Sequence, residues 1–235
     1  MTRVSTQVPK QRLSAAESES DVVADEQLVK SRDRVRSYGE VFTPARMVTQ
    51  MLDLVQPELE TGPRFVDKTF FEPAAGDGNF LVAILKRKLS AIERRYQPEF
   101  WPTESLFALA SIYGIELLQD NHVAAQTALL DAFVRFHSQN AILCGPRTNL
   151  WRSAKYLIDA NIIQGNTLTR LDAVGKRIEF SWWNRLLNLP GMVERQPITL
   201  ESLHHTSAGA IDFNNYTSYK QCRIEHVYKE QRADD

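Results

Sequence analysis

The stretch Phe70-Phe71-Glu72-Pro73-Ala74-Ala75-Gly76-Asp77-Gly78-Asn79-Phe80-Leu81 decides how this chain folds. Phe65, Val66, Phe70 and Phe71 supply the apolar and aromatic residues of a buried strand. Gly76 and Gly78 then remove two β-carbons, so the backbone can bend sharply and a ligand can lie against bare peptide. From Asn79 the apolar period becomes helical, with Leu81, Ile84, Leu85, Lys88-Leu89 and Ile92 on one face until Pro98. A strand, a glycine turn and a helix, with acidic Glu72 at the strand end, mark where nucleotide-like ligands sit in open α/β sheets. The competing reading is a plain glycine turn before an ordinary helix.

The turn is neither G-x-G-x-x-G nor G-x-x-x-x-G-K-[ST]. A bare helix N-terminus attracts anions, whereas Glu72 and Asp77 place negative charge beside this one, which suits a cationic amino group better than a pyrophosphate. The stretch resembles the [DE]-P-A-[CA]-G-[SD]-G-N-F-L box of S-adenosylmethionine (SAM) dependent DNA adenine-N6 methyltransferases, especially modification subunits of restriction systems. That resemblance implies a Rossmann-like α/β fold, a mostly parallel sheet with helices on both faces, with SAM as cofactor and DNA as substrate. It further implies that Glu72, Pro73, Ala74, Gly76, Asp77, Gly78 and Asn79 border the cofactor. The Gly76–Gly78 amides would hold its methionine end, and Glu72 or Asp77 its amino group.

Upstream, Tyr38-Gly39-Glu40-Val41-Phe42-Thr43-Pro44 leads into a helical stripe of Met47, Val48, Met51, Leu52 and Val55 that ends at Pro57. Thr43 and Pro44 are a good N-cap and first-turn pair, which is the purely structural reading. The segment also resembles the G-[EQ]-x-[FY]-T-P-x-x-[VM]-V motif of the same methyltransferases. By that resemblance Phe42 borders the cofactor, and Thr43 and Pro44 with the cap amides hold its carboxylate.

Downstream, Thr103 is expected to cap a short helix over Glu104 to Ala110, and Ile112-Tyr113-Gly114-Ile115-Glu116-Leu117 reads as the second parallel strand. A carboxylate at its end can accept from both hydroxyls of a ribose; the segment is similar to the family's Y-G-[IVF]-[ED]-[LI] motif, which places Glu116 and Leu117 at the cofactor. A solvated strand-end glutamate is the alternative. Asp120 can cap the next helix, whose stripe Val123, Thr127, Leu130, Val134 reads as core packing. A polar loop over His137 to Asn149 precedes a helix around Trp151, Ala154, Leu157 and Ile158. Asn161 to Leu168 then reads as a third strand and turn, similar to N-I-x-x-G-[DN]-[TSA]-L, where Asn166 would meet the adenine amino group. Asn166 can accept or donate there, or simply form a turn.

The resemblance breaks at the fourth strand, Ile178 to Asn184. A complete adenine methyltransferase ends that strand in [DN]-P-P-[YF], whose acceptors bind the N6 hydrogens and whose ring holds the flipped base. That tetrapeptide is absent. Trp183 and Asn184 are the candidate catalytic pair, with Asn188 of Asn188-Leu189-Pro190-Gly191 as alternative; alternating strand faces explain Trp182 and Trp183 equally well. Beyond Gly191 too little chain is expected for the remaining strands and a target-recognition domain. An acceptor site supplied by a partner subunit, or a SAM-binding subunit without activity, therefore stand beside an active enzyme.

The 235 residues allow one α/β domain plus tails, expected as a disordered tail over 1–20, a SAM-binding domain over 21–195 and an irregular extension over 196–235. Residues Asp21 to Arg36 read as a weakly amphipathic helix with a basic end, Lys30, Arg32, Arg34 and Arg36. The net charge of −1 excludes a global basic field for nucleic acid, so DNA must be gripped locally or through a partner. Cys144 and Cys222 have no C-x-x-C spacing and read as reduced thiols, and no apolar run or signal peptide directs the chain to a membrane. A cytoplasmic location is expected. His204 and His205, without a third ligand at helical spacing, make a poor metal site.

Overall fold

Three short parallel strands carry the molecule. The computed structural model describes residues 28–200 and 219–232. Strand β1 (Phe70–Glu72) pairs parallel with β2 (Ile112–Glu116), which pairs parallel with β3 (Ile162–Asn166). A two-residue antiparallel strand β4 (Leu171–Asp172) completes a four-stranded sheet in the order β1-β2-β3-β4. All five residues of β2 are buried, as expected for the centre of a parallel sheet. The protein is therefore mixed α/β with a mostly parallel sheet. Phe65 and Val66, expected in the first strand, are buried in a 3-10 turn ahead of it instead, and the strand keeps only the phenylalanine pair and Glu72.

Six α-helices are described: α1 (Arg32–Tyr38), α2 (Ala45–Asp53), α3 (Asn79–Arg95), α4 (Trp101–Ala110), α5 (Gln119–Gln139) and α6 (Asn149–Asn161). Helix α3 lies on the face carrying Phe70 and Gly114, where a β-carbon on Gly114 would stand 3.1 Å from Leu81. Its Lys88 is wholly buried, and its ammonium donates to the carbonyls of Val66 (3.0 Å) and Lys68 (2.6 Å) and to Ser111 Oγ (2.6 Å). Lys88 thus joins the lead-in to β1 to the lead-in to β2, a role hidden in a sequence where it reads as part of an apolar stripe. The opposite face, around Phe71 and Tyr113, meets Phe180 at ring separations of 5.7 Å each. Phe180 belongs to β5 (Glu179–Arg185), which pairs with β6 (Met192–Thr199) and then β7 (Cys222–Arg223) in a separate antiparallel sheet. The strand expected to be the fourth of the parallel sheet therefore packs across that sheet instead of extending it. Alternation of apolar residues fixes which side of a strand is buried, but not which sheet it joins.

Several helix limits differ from the sequence expectation. Helix α1 begins at Arg32, while residues 28–31 are not helical; the expected tail, the earlier half of that helix and His204–His205 lie outside the described residues. Pro44, at ψ 141°, occupies the cap of α2 without a side-chain bond, so Thr43 does not cap it. Met47 and Met51 are half exposed, and Val48 and Leu52 alone face the core from α2. Helix α4 starts at Trp101 before Thr103, whose hydroxyl instead donates to Glu225. Leu118, not Asp120, precedes α5, and Asp120 pairs with Arg34 and Lys30. The buried face of α5 is Asn121, Ala125, Leu129, Ala132, Phe133, Phe136 and His137; of the expected stripe, Leu130 and Val134 pack half-buried against the core, while Val123 and Thr127 are exposed. The close approach of α3 explains this: at Gly78 a β-carbon would lie 2.8 Å from Ala125 Cα, so only small residues of α5 fit there. The two cysteines are free, and no described helix is long and apolar enough to cross a membrane.

Helix α5 also runs through His137, expected in a loop. The ring is wholly buried between Phe133 and Phe136, with Nε2 3.0 Å from Ser105 Oγ and Nδ1 without a hydrogen-bond partner among the described residues. Burial lowers its pKa from 6.5 to about 4. Between those values the unfolded chain binds the proton and the folded one resists it, so stability must fall as pH drops from 6.5 towards 4. The stability advantage of the wild type over His137→Gln, followed by urea midpoints, is expected to shrink across that window. A pH-independent difference would refute the assignment.

Candidate functional site

At the carboxyl ends of β1, β2 and β3 lies a pocket of about 690 Å³, within the range of about 300–1,000 Å³ usual for small-molecule sites. Its floor is the glycine turn: Glu72, Pro73, Ala74, Gly76, Asp77 and Asn79. Glu116 and Leu117 form one wall at the end of β2, and Asn166 follows at the end of β3. The facing wall is the extended segment from Tyr38 through Phe42 and Thr43. Four sequence segments thus meet at one cavity. Pro44 and Gly78, also expected there, do not line it.

The two glycines do different work. Gly76 has φ +56°, and a β-carbon on it would stand 3.2 Å from Cε1 of Phe42, so its bareness keeps the cradle between turn and aromatic ring open. Gly78, at φ +93°, faces Ala125 and serves helix packing. Its amide donates to the Ala75 carbonyl (3.0 Å) and closes the turn.

Glu116 is 6% exposed, and its carboxylate accepts from the amides of Gly76 (2.7 Å) and Leu118 (2.9 Å) and from Asn121 Nδ2 (3.4 Å). It therefore holds the glycine turn to the end of β2 as well as facing the pocket. A solvated strand-end acid is ruled out by that burial. Glu116→Ala leaves two amides without their acceptor, at about 1–3 kcal/mol for a buried unsatisfied group. Its thermal midpoint is expected to fall several degrees without any ligand; an unchanged midpoint would show that water replaces the carboxylate.

Glu72 is half-buried and accepts from the Ala74 amide (3.1 Å). Burial raises its pKa, and the Ala74 N–H offsets part of that rise. Asp77 Oδ1 is buried with no hydrogen-bond partner among the described residues. An unpaired buried acceptor costs free energy until a donor arrives. Asp77 together with Glu72, beside the uncapped first turn of α3, fits a ligand bearing a cationic amine. These acceptors, beside the bare first turn of α3, therefore fit the amino-acid end of SAM. Asn166 forms a turn, its Oδ1 accepting from the amides of Leu168 (2.9 Å) and Thr169 (3.2 Å), and Thr167 Oγ1 donates to the Pro73 carbonyl at 2.5 Å. That hydroxyl binds the third segment to the glycine turn.

The residues expected at the acceptor side are elsewhere. Trp183 is buried, and its Nε1 donates to Asn161 Oδ1 (2.8 Å), while Asn161 in turn donates to the carbonyls of Ala110 and Ile112. Asn184 Oδ1 accepts from Trp182 Nε1 (3.0 Å). Both line a separate cavity of about 100 Å³ with Thr69 and Ser111, the residues just before β1 and β2. That cavity is at the amino end of the strands, and the five residues of β2 span about 16 Å at the usual rise. Asn188 is exposed in the turn between β5 and β6. The structure does not bring Trp183, Asn184 or Asn188 to the pocket.

Sequence reading missed Glu40 and Asn121, which line the pocket and hydrogen-bond each other at 2.6 Å. Glu40 stood inside a quoted motif with no task assigned. Asn121, a polar residue four before Ala125 on the buried face of α5, became visible only once that face was known. No family model, curated protein or solved structure matches the chain.

Proposed function

We propose that this chain binds SAM at the carboxyl ends of its parallel strands and acts as the cofactor-binding part of a DNA adenine-N6 methyltransferase. The observation that supports this is the meeting of all four cofactor motifs at one pocket. The fold is then Rossmann-like in the methyltransferase sense, and a cytoplasmic restriction-modification or phage-defence role follows from the resemblance.

Bound SAM supplies an electrophilic methyl group. The chain's own residues bind and orient: Glu72 and Asp77 take the ammonium, the Gly76 turn and Phe42 enclose the amino-acid end, and Thr43 offers a hydroxyl to the carboxylate. Glu116 meets the ribose while still holding Gly76 and Leu118, and Asn166 meets the base. Transfer of this kind rests on alignment and needs no covalent enzyme intermediate. Trp183 and Asn184 lie at the amino end of the sheet, so other groups must hold the acceptor amine, and we assign them to a partner chain. That placement also favours a second reading, a SAM-binding subunit that catalyses nothing.

Calorimetric titration with SAM, repeated with S-adenosylhomocysteine, tests the proposal; saturable one-to-one binding of both is expected. No heat from either ligand at millimolar concentration would overturn it. Labelled methyl appearing in DNA adenine only with a partner present supports the transferase, and SAM binding without transfer under any partner supports the second reading.

A further inference from the structure

The wall formed by Tyr38 to Phe42 is fastened by side chains that none of the cofactor motifs assigns. Arg34 of α1 sits between two carboxylates. It pairs with Glu40 through Nε and, at 2.9 Å, through Nη2, and with Asp120 of α5 at 2.7 Å through Nη1 and 3.1 Å through Nη2. Lys30 reaches Asp120 at 3.2 Å and also donates to Asn121 Oδ1. Asn121, only 1% exposed, spends its two amide hydrogens on Glu40 (2.6 Å) and Glu116 (3.4 Å). Glu116 then holds the amide of Gly76. An unbroken series of bonds therefore runs from α1, outside the pocket, to the glycine turn on its floor.

We infer that Arg34 and Asn121 are positioning residues that clamp segment 38–43 against the ends of β1 and β2 and so set the width of the pocket. Without them Glu40, Glu116 and Asp120 are three carboxylates in one small region, and like charges separate. Glu40 has only 8% of its side chain exposed, so its charge depends on Arg34 and on the Asn121 amide. Gly39, at φ +66°, gives the chain its turn out of α1, and Phe42 returns its amide to the Leu28 carbonyl at 2.8 Å. Little else in the described backbone pairing fixes the segment between them, so the side-chain clamp decides where Phe42 stands relative to Gly76. Arg34 and Asp120 are partly exposed, which makes the clamp sensitive to salt.

The affinity arm of the test rests on the proposed SAM reading, and the hydrogen-exchange arm does not. Full-length wild type, Arg34→Met, Arg34→Lys, Asn121→Leu and the double variant Arg34→Met/Asn121→Leu are compared. In the absence of ligand, amide exchange of residues 39–43 is expected to quicken at least about tenfold in Arg34→Met, with Ile162–Asn166 of β3 unchanged. Arg34→Lys should recover part of the protection. The SAM dissociation constant is expected to rise about tenfold in Arg34→Met, as for loss of one charge-assisted bond. The double variant should be no worse than the poorer single one, because both act through Glu40. Unchanged exchange at 39–43 in Arg34→Met overturns the inference, and so do additive effects in the double variant. If Asn121→Leu does not fold, Arg34→Met and Arg34→Lys still decide it. Wild type that binds no SAM yet shows the expected exchange pattern would remove the proposed function and leave the clamp standing.

Discussion

Gly76→Val is expected to abolish SAM binding while the protein stays folded. At φ +56° a β-branched residue is strained, by about 1–2 kcal/mol for the left-handed conformation. Domains of this kind have about 5–15 kcal/mol in hand. Each kcal/mol costs about 2–4 °C at this chain length, so the melting temperature should drop by less than about 10 °C. The ligand site suffers more. The new β-carbon would stand 3.2 Å from the Phe42 ring, and the two γ-methyls extend further into the cradle. A loss on the order of 100-fold or more in affinity follows, since a nucleoside that no longer fits forfeits its contacts together. Gly76→Ala is the control, because it carries most of the backbone strain with less bulk. Equal losses of affinity in the alanine and valine variants would mean that the turn, and not the space beside Phe42, matters. Wholesale unfolding of Gly76→Val, seen by circular dichroism, would contradict the placement of the cradle altogether.

The largest stability effect is expected at Lys88→Met. The substitution fits the volume but strands the buried Val66 carbonyl, at about 1–3 kcal/mol for a buried unsatisfied group, and takes the ammonium from the part-buried bond to the Lys68 carbonyl. Ser111 keeps its bond to the Ala108 carbonyl at 2.8 Å. Burial lowers the Lys88 ammonium from 10.5 to about 7, against a smaller opposing pull from Asp67. The unfolded chain therefore holds a proton that the folded one releases between those values, and wild-type stability gains as pH rises through them. Methionine has no such gain. The variant should be at least about 2 kcal/mol less stable near neutrality, with the gap widening from about pH 7 to 10.5. Chemical denaturation at a series of pH values measures this. A gap that narrows over that range would sink the assignment.

The sequence made the three parallel strands and the glycine turn legible because both leave local marks. Strands buried on two faces read as apolar runs, and a bend against a ligand reads as glycine beside acid. What escaped depended on partners distant in the chain. The first half of the α5 face was misjudged because its approach to α3 is made at Ala125, opposite Gly78, while the larger Val123 stands half exposed. The helix start after Thr43 slipped by one because Pro44 stayed extended. Trp182 and Trp183 alternate as any strand residues do, and nothing local reveals that β5 crosses the parallel sheet with its end at the amino side. Lys88 and His137 are polar residues that the interior accepts only because particular carbonyls and a serine await them.

One detail at the end of β3 bears on which nucleosides the pocket admits. Asn166 has committed its oxygen to two backbone amides, so what it can turn towards a base is its NH₂ group, a donor. A purine that offers a ring nitrogen lone pair satisfies it whether or not an exocyclic amine is attached. The inosine analogue also offers acceptors, its O6 carbonyl and the N3 and N7 lone pairs, so a donor amide should admit it alongside adenosine. If SAM is the ligand, as proposed, its deaminated form should compete nearly as well as SAM itself; failure to compete would mean that Asn166 gives up its turn bonds to accept from the exocyclic amine.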